Sequence, residues 1–247
     1  MSAPLLKTVD ICLAFGGVIA ADQIDFELAE GERLAVIGQN GAGKTTFLNI
    51  CTGYLSATRG KVFFDGEDIT GLPPRTITRK GIARSFQIPQ IFTEHTVREC
   101  MQLAASAVQH RWNPLRPLCK SVNLDEVEHT LELVNLASRA NDQACMLPEG
   151  QRKLLDVAMA LVLNPRLLIM DEPTSGVCSD EKHGLMDTLM RALSERRVTS
   201  MFVEHDIDIV TRYATRLTAW VGGKIAADGP PAEVLKDPIV VKNVMGG

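Results

Sequence analysis

The chain has 247 residues, with 26 basic and 30 acidic side chains for a net charge of −4, and is 45% hydrophobic, 23% charged and only 5% aromatic. This is the composition of an ordinary globular protein of one large or two small domains, which excludes fibrous, collagen-like and disordered classes. Without a net positive charge there is no global cationic field for polyanions, so no nucleic-acid partner is expected.

From the N-terminus, the apolar run Leu5 to Leu13 and then Ile24, Phe26 and Leu28, broken by Gly16-Gly17 and Glu30-Gly31, predict small antiparallel strands. Met1 to Ala14 carries a single Lys7, and Asp10 interrupts any apolar signal core, so no secretory leader is expected. Leu34 to Ile37 is continuously apolar, as in a strand buried on both faces, and Thr45 to Ile50 suits a helix. Lys61 to Phe64 followed by Asp65-Gly66 predicts a strand entering a tight turn. From about Ile88 the pattern becomes helical. Thr96-Val-Arg-Glu99 is a capping box opening a helix through Val108. Leu124, Val127, Leu131 and Val134 form one face of a second helix, and a third runs from Gln151 to about Leu163.

Strand and helix then alternate: strand Leu167 to Met170, helix Asp180 to Leu193 with Leu185, Leu189 and Leu193 in one stripe, strand Val198 to Val203, helix Ile207 to Ala214, strand Leu217 to Val221. The alternation predicts a mainly parallel α/β core on which the helical stretch sits as an insert. The longest aliphatic stretch, Val157 to Leu163, stops at Asn164-Pro165, far short of the roughly 20 residues of a membrane-spanning helix. The six cysteines form no C-x-x-C pair, so reduced thiols mostly in core positions are expected rather than a zinc site or disulfide scaffold.

Gly38-Gln39-Asn40-Gly41-Ala42-Gly43-Lys44-Thr45 fits the G-x-x-x-x-G-K-[ST] pattern between the buried strand and the helix. Its glycines let backbone N–H groups turn inward around phosphate oxygens, and the helix N-terminus adds partial positive charge. Lys44 then counters the β- and γ-phosphates of ATP, and Thr45 ligates Mg²⁺. Asp171-Glu172, at the C-terminal end of the Leu167 to Met170 strand, stand where α/β sheets bind ligands. Asp171 suits the metal, and Glu172 suits a general base for an attacking water.

These residues resemble the ATP-binding subunit of ABC transporters along essentially the whole chain. The matching elements are Phe15, Gly38 to Thr46, Gln87 in Ser85-Phe86-Gln87, Leu147-Pro148-Glu149-Gly150-Gln151, Asp171-Glu172-Pro173-Thr174, and His205 in Val203-Glu204-His205-Asp206. The resemblance implies an α/β P-loop core at about 1–87 and 158–247, with a mainly parallel sheet and an antiparallel β subdomain, and a helical subdomain at about 88–157, all in one ABC ATP-binding domain. By resemblance, Phe15 stacks on adenine, and Gly38, Asn40, Gly41, Ala42, Gly43, Lys44, Thr45 and Thr46 hold the phosphates. Gln87 senses the γ-phosphate and Mg²⁺. His205 contacts the γ-phosphate and the attacking water, so Glu172, His205 and Gln87 are the catalytic set. Gly150 and Gln151, in the signature segment, also bind nucleotide by resemblance, at a helix N-terminus still positive toward a phosphate, and Thr45, Gln87 and Asp171 form the metal site.

Phe15-Gly16-Gly17, Asp68 to Pro74, Gly81 to Gln87 and Ala226 to Val234 look like the subfamily that serves branched-chain amino-acid, urea and amide importers. The resemblance implies a motor on the cytoplasmic face of the inner membrane, working with a second ATP-binding subunit, two permease subunits and, indirectly, a periplasmic solute-binding protein. A lipid or lipopolysaccharide exporter subunit is the alternative, and a soluble non-transport ABC ATPase is a further one. Three positions depart from the family: Pro148 replaces the signature Ser that meets the γ-phosphate of the other subunit's ATP, Glu149 follows it in place of Gly, and Cys178 replaces the usual D-loop Asp. A partner subunit of a different sequence, with a complete signature, is therefore expected.

Overall fold

The structure, a computed structural model, describes residues 3–107 and 122–246. The chain divides into one unit of residues 1–80 and 199–247 and another of residues 81–198.

In the first unit, β1 (Leu6–Phe15) pairs antiparallel with β2 (Val18–Leu28) on one side and with β4 (Arg59–Phe64) on the other, and β5 (Glu67–Asp68) closes the sheet beside β4. Ile24, Phe26 and Leu28 are buried while Gln23, Asp25 and Glu27 are not, the period-2 pattern of a half-buried strand. The Asp65-Gly66 turn between β4 and β5 takes φ of 51° and 79°, the two positive values that a type I′ hairpin turn requires.

Just after it, Asp68 accepts from the Thr70 amide at 2.9 Å and from Lys61 Nζ at 3.0 Å. The Thr70 hydroxyl and amide and the Lys61 ammonium hold its carboxyl at about 2, below the ordinary 3.8. A depressed folded value means the contribution to stability is present above the unfolded pKa and is lost as pH falls through about 2. An NMR titration is expected to place the Asp68 midpoint near 2 and, in Thr70→Val, to move it toward the ordinary range. A wild-type midpoint near 3.9 would contradict this.

The second sheet of this unit is built on β3 (Arg33–Gly38), which lies parallel to both β8 (Thr199–Val203) and β9 (Arg216–Val221), while β10 (Lys224–Gly229) returns antiparallel along β9. Leu34 to Ile37 and Met201 to Val203 are all buried, which explains why these strands read as unbroken apolar runs. Helix α1 (Lys44–Cys51) follows β3 directly. Its Phe47 packs edge-on against Phe26 of β2 at 5.5 Å and tilted against Trp220 of β9 at 4.9 Å. Aromatic packing from both sheets thus fixes the helix that carries the phosphate loop. A short helix, α2 (Pro74–Lys80), ends this part of the chain, with Ile77 buried.

The second unit holds β6 (Ile82–Ser85) and β7 (Leu167–Asp171), a parallel pair, with helices α3 (Val97–Ser106), α4 (Leu124–Leu133), α5 (Glu149–Leu161) and α6 (Ser179–Glu195). Both capping-box bonds are made, Thr96 amide to Glu99 carboxylate at 2.8 Å and Glu99 amide to Thr96 hydroxyl at 3.2 Å. Ser106 is the last α3 residue, and the expected end at Val108 lies outside the described residues. Val127, Leu131 and Val134 are buried as the spacing predicts, but Leu124 is 40% exposed because it is the first residue of α4, where the face has not yet closed. Helix α5 starts at Glu149, two residues before the expected Gln151, because Pro148 occupies the N-cap position, where its missing N–H costs nothing.

The thiols differ from expectation. Cys51 and Cys100 are buried, but Cys12 is half-buried and Cys145 and Cys178 are exposed, the first in a 3₁₀ turn and the second at the N-cap of α6. Cys119 lies outside the described residues.

Candidate functional site

The phosphate loop is a conformation that glycine alone supplies. Gly41 and Gly43 have φ of 81° and 99°, and a Cβ on Gly43 would sit 2.1 Å from the Ala20 carbonyl oxygen of β2. A Cβ on Gly38 would meet the Trp220 carbonyl oxygen at 2.5 Å. The Gly223 amide donates to Ala42 O at 3.0 Å, so the β9–β10 turn also braces the loop. Gly43 is the N-cap of α1, whose first residue, Lys44, is 6% exposed. Its ammonium donates to the carbonyls of Gly38 and Gln39, the latter at 3.0 Å, and so lies folded over the loop. Ala42 is buried, Thr46 half-buried, and Asn40 and Thr45 exposed.

His205 belongs to the same unit. Because β8 runs parallel to β3 with Val203 opposite Val36, and the Glu204 amide donates to Val36 O at 3.2 Å, the chain leaves both strands at one end of the sheet. That is the C-terminal end, where open α/β sheets hold ligands. His205 is exposed there, its amide donating to Glu204 Oε2 at 3.2 Å. Phe15 ends β1 and is 51% exposed at the hairpin tip, with Val18 and Ile19 beside it at 68% and 55%.

In the second unit, Gln87 and Glu172 come together, Gln87 Nε2 donating to Glu172 Oε2 at 2.7 Å. Glu172 takes φ 49°, a left-handed backbone that non-glycine residues rarely adopt and that marks functional positions more often than others. Asp171 is buried and accepts from Arg84 Nη2 at 3.0 Å, the two side chains being 8% and 5% exposed. Gly150 and Gln151 lie in the first turn of α5, with Pro148 exposed at its N-cap. A Cβ on Gly150 would meet only Leu185 and Val177, at 3.7 and 3.8 Å, so packing inside the unit does not demand glycine there.

Three residues here were not singled out by the sequence pattern. Arg84 is separated from Asp171 by 87 positions. Lys153 and Asp156, on α5, bond to the Gln87 segment across 66 to 71 positions. The one available cue was their charge within a helix otherwise apolar on its inner face. Among the described residues, no group of three or more His, Cys, Asp or Glu could hold a metal by itself. A single carboxylate such as that of Asp171 suits a cation that keeps most of its ligands as water and phosphate oxygens, as Mg²⁺ does.

The sequence profile of ABC transporters matches residues 21–175. The high-affinity branched-chain amino acid transport ATP-binding protein BraF of Pseudomonas aeruginosa is 35% identical over 100% of this chain and 99% of its own length. A probable branched-chain amino acid transport ATP-binding protein, LivG of Archaeoglobus fulgidus, is 35% identical over 98% of this chain and 95% of its own. Among solved structures, an ATP-binding cassette of an ABC transporter in its ADP conformation superposes with a TM-score of 0.81 at 32% identity, covering 98% of both chains.

Proposed function

The chain belongs to the ABC transporter family, as one of its ATP-hydrolysing cassettes, and from that premise we propose that it drives an importer of branched-chain amino acids or related small solutes. The observation that carries the nucleotide reading is the phosphate loop: two glycines at positive φ, one of them pressed against the Ala20 carbonyl, lead into a helix whose first residue is a buried lysine. Gly38, Asn40, Gly41, Ala42, Gly43, Lys44, Thr45 and Thr46 bind the phosphates, and exposed Phe15 stacks on the adenine. Thr45, Asp171 and Gln87 would be the residues that hold Mg²⁺, and the Arg84 guanidinium on Asp171 Oδ2 would keep that carboxylate ionised and oriented for it. Glu172 acts as general base, positioned by Gln87, and His205 steadies the water and the γ-phosphate.

The cavity beside the phosphate loop, lined by Asn40, Gly41, Trp220 and Asn243, measures about 140 Å³, below the few hundred Å³ of an ordinary small-molecule site. A second ATP-binding subunit completes the site, its signature donating to the ATP held by Lys44 here. Reciprocally, Gly150 at the N-terminus of α5 faces the partner's ATP, which gives that position its reason for being glycine. Pro148 cannot supply the hydroxyl of a signature serine, a loss of roughly 1.5 to 3 kcal/mol for a hydrogen bond to a charged group. Two copies of this chain would carry that loss twice, which favours a mixed pair with a different subunit.

No helix among the described residues is long and apolar enough to cross a membrane. We infer from its likeness to transport ATP-binding proteins that the assembly works at the cytoplasmic face with two permease subunits, supplied by a periplasmic solute-binding protein. Ile88 and Phe92 are 74% and 44% exposed just after Gln87, an apolar surface for a permease segment. The test is site-directed crosslinking in membranes from a cysteine introduced at exposed Thr93, with Cys145 and Cys178 replaced. The expected product joins this chain to a permease in a complex with one other, distinct ATP-binding chain. Crosslinks confined to a second copy of this chain would overturn both the docking surface and the mixed pair.

A further inference from the structure

Helix α5 carries two buried charges that the chemistry above does not use. Lys153, 3% exposed, donates from Nζ to the carbonyls of both Gln87 and Glu172, each at 3.0 Å. Asp156, three residues on and 6% exposed, lies on the same helix face. Its Oδ2 accepts from the Ser85 hydroxyl at 2.6 Å and the Phe86 amide at 3.1 Å, and its Oδ1 from the Gln90 amide at 2.9 Å. Burial pushes the Asp156 carboxyl upward, while Ser85, the amides of Gln90 and Phe86, and the Lys153 charge pull it back toward the ionised form. Charges are costly to bury, and here every one of these bonds lands on the segment 85–90 or on Glu172.

We propose that Lys153 and Asp156 are the positioning residues of the hydrolytic pair. Asp156 anchors the chain on both sides of Gln87, and Lys153 ties the backbone of Gln87 to that of Glu172. The 2.7 Å bond between their side chains thus forms from two backbones held by one ammonium. Glu172 needs such a restraint because its φ of 49° is one that a glutamate would otherwise leave. The inference rests on reading Glu172 as the base. Binding of nucleotide by the phosphate loop does not depend on it, so the two residues should govern the rate and not the affinity.

The test is ATP affinity by calorimetry and hydrogen exchange over residues 86–90, measured on the full chain, and ATP hydrolysis measured on the full chain together with its ATP-binding partner subunit. For Lys153→Met the expected result is a kcat lower by roughly 10- to 100-fold, as for a misplaced reacting group, with ATP affinity within about twofold and faster exchange. Lys153→Arg, which keeps donors at that place, should recover most of the rate. An unchanged kcat in Lys153→Met, a parallel loss of affinity and rate, or no recovery with arginine would each overturn the proposal. If Lys153→Met does not fold, Ser85→Ala decides: it should lower kcat at constant KM and speed exchange, and wild-type values of both would be fatal. Glu172→Gln, run alongside, separates the two readings: if that variant hydrolyses at full rate, the base assignment fails. Exchange then judges the clamp alone, faster exchange in Lys153→Met supporting it and unchanged exchange overturning it.

Discussion

Lys44→Ala should abolish ATP binding or leave it too weak to measure, the largest single effect expected in this protein. The ammonium is already buried and folded over the loop, bonded to the carbonyls of Gly38 and Gln39, so its desolvation is settled before the nucleotide arrives. Phosphate oxygens then exchange neutral carbonyl partners for charged ones at little reorganisation, and each charge-assisted bond is worth about 1.5 to 3 kcal/mol. Loss of two such bonds weakens affinity by at least roughly 100-fold. The backbone cradle survives, because the φ values of Gly41 and Gly43 and the Gly223 to Ala42 bond do not involve the lysine side chain. Calorimetry should therefore show no saturable ATP binding, and the thermal stabilisation of the wild type by saturating nucleotide should vanish. Unchanged affinity in a folded variant would remove the loop from the nucleotide site.

How much of this could be seen in the sequence depends on how local each feature is. The capping box Thr96–Glu99 and the Asp65-Gly66 turn are decided within four residues, and the structure forms both as their residue types require. The phosphate loop is legible for the same reason: its glycine spacing encodes the positive φ values directly. Element ends are less so. Residues 149 and 150 join α5 because Pro148 serves as its N-cap, a competition between helix initiation and the expected start at Gln151 that local pattern does not resolve. The thiols show the limit of composition, since Cys145 and Cys178 are exposed by the turn and helix end they occupy. Least legible are the buried charges around the acidic pair. Arg84 meets Asp171, and Lys153 meets Gln87, only after β6, β7 and α5 have packed. Nothing in the neighbouring residues of any of the four announces its partner.

Glu172→Gln should leave ATP binding within a few-fold of wild type and slow hydrolysis by roughly 10²-fold or more, the usual worth of a positioned general base. Glutamine keeps the size of glutamate and an oxygen able to accept from Gln87 Nε2, so the 2.7 Å contact and the Lys153 bond to the residue 172 carbonyl both survive. What disappears is the lone pair of a carboxylate able to take a proton from water. A hundredfold loss corresponds to about 2.7 kcal/mol at the barrier, confined to the chemical step. Rate and affinity should therefore separate, with kcat reduced and the binding isotherm unmoved, whereas Lys44→Ala loses both together. On the mixed pair proposed above, stopped turnover should also lengthen the life of the ATP-bound complex, visible as a larger fraction of that pair on gel filtration with ATP and the partner subunit. Full activity in Glu172→Gln would place the base elsewhere. His205, exposed at the C-terminal end of β8 where β3 also delivers the phosphate loop, is then the first residue to replace.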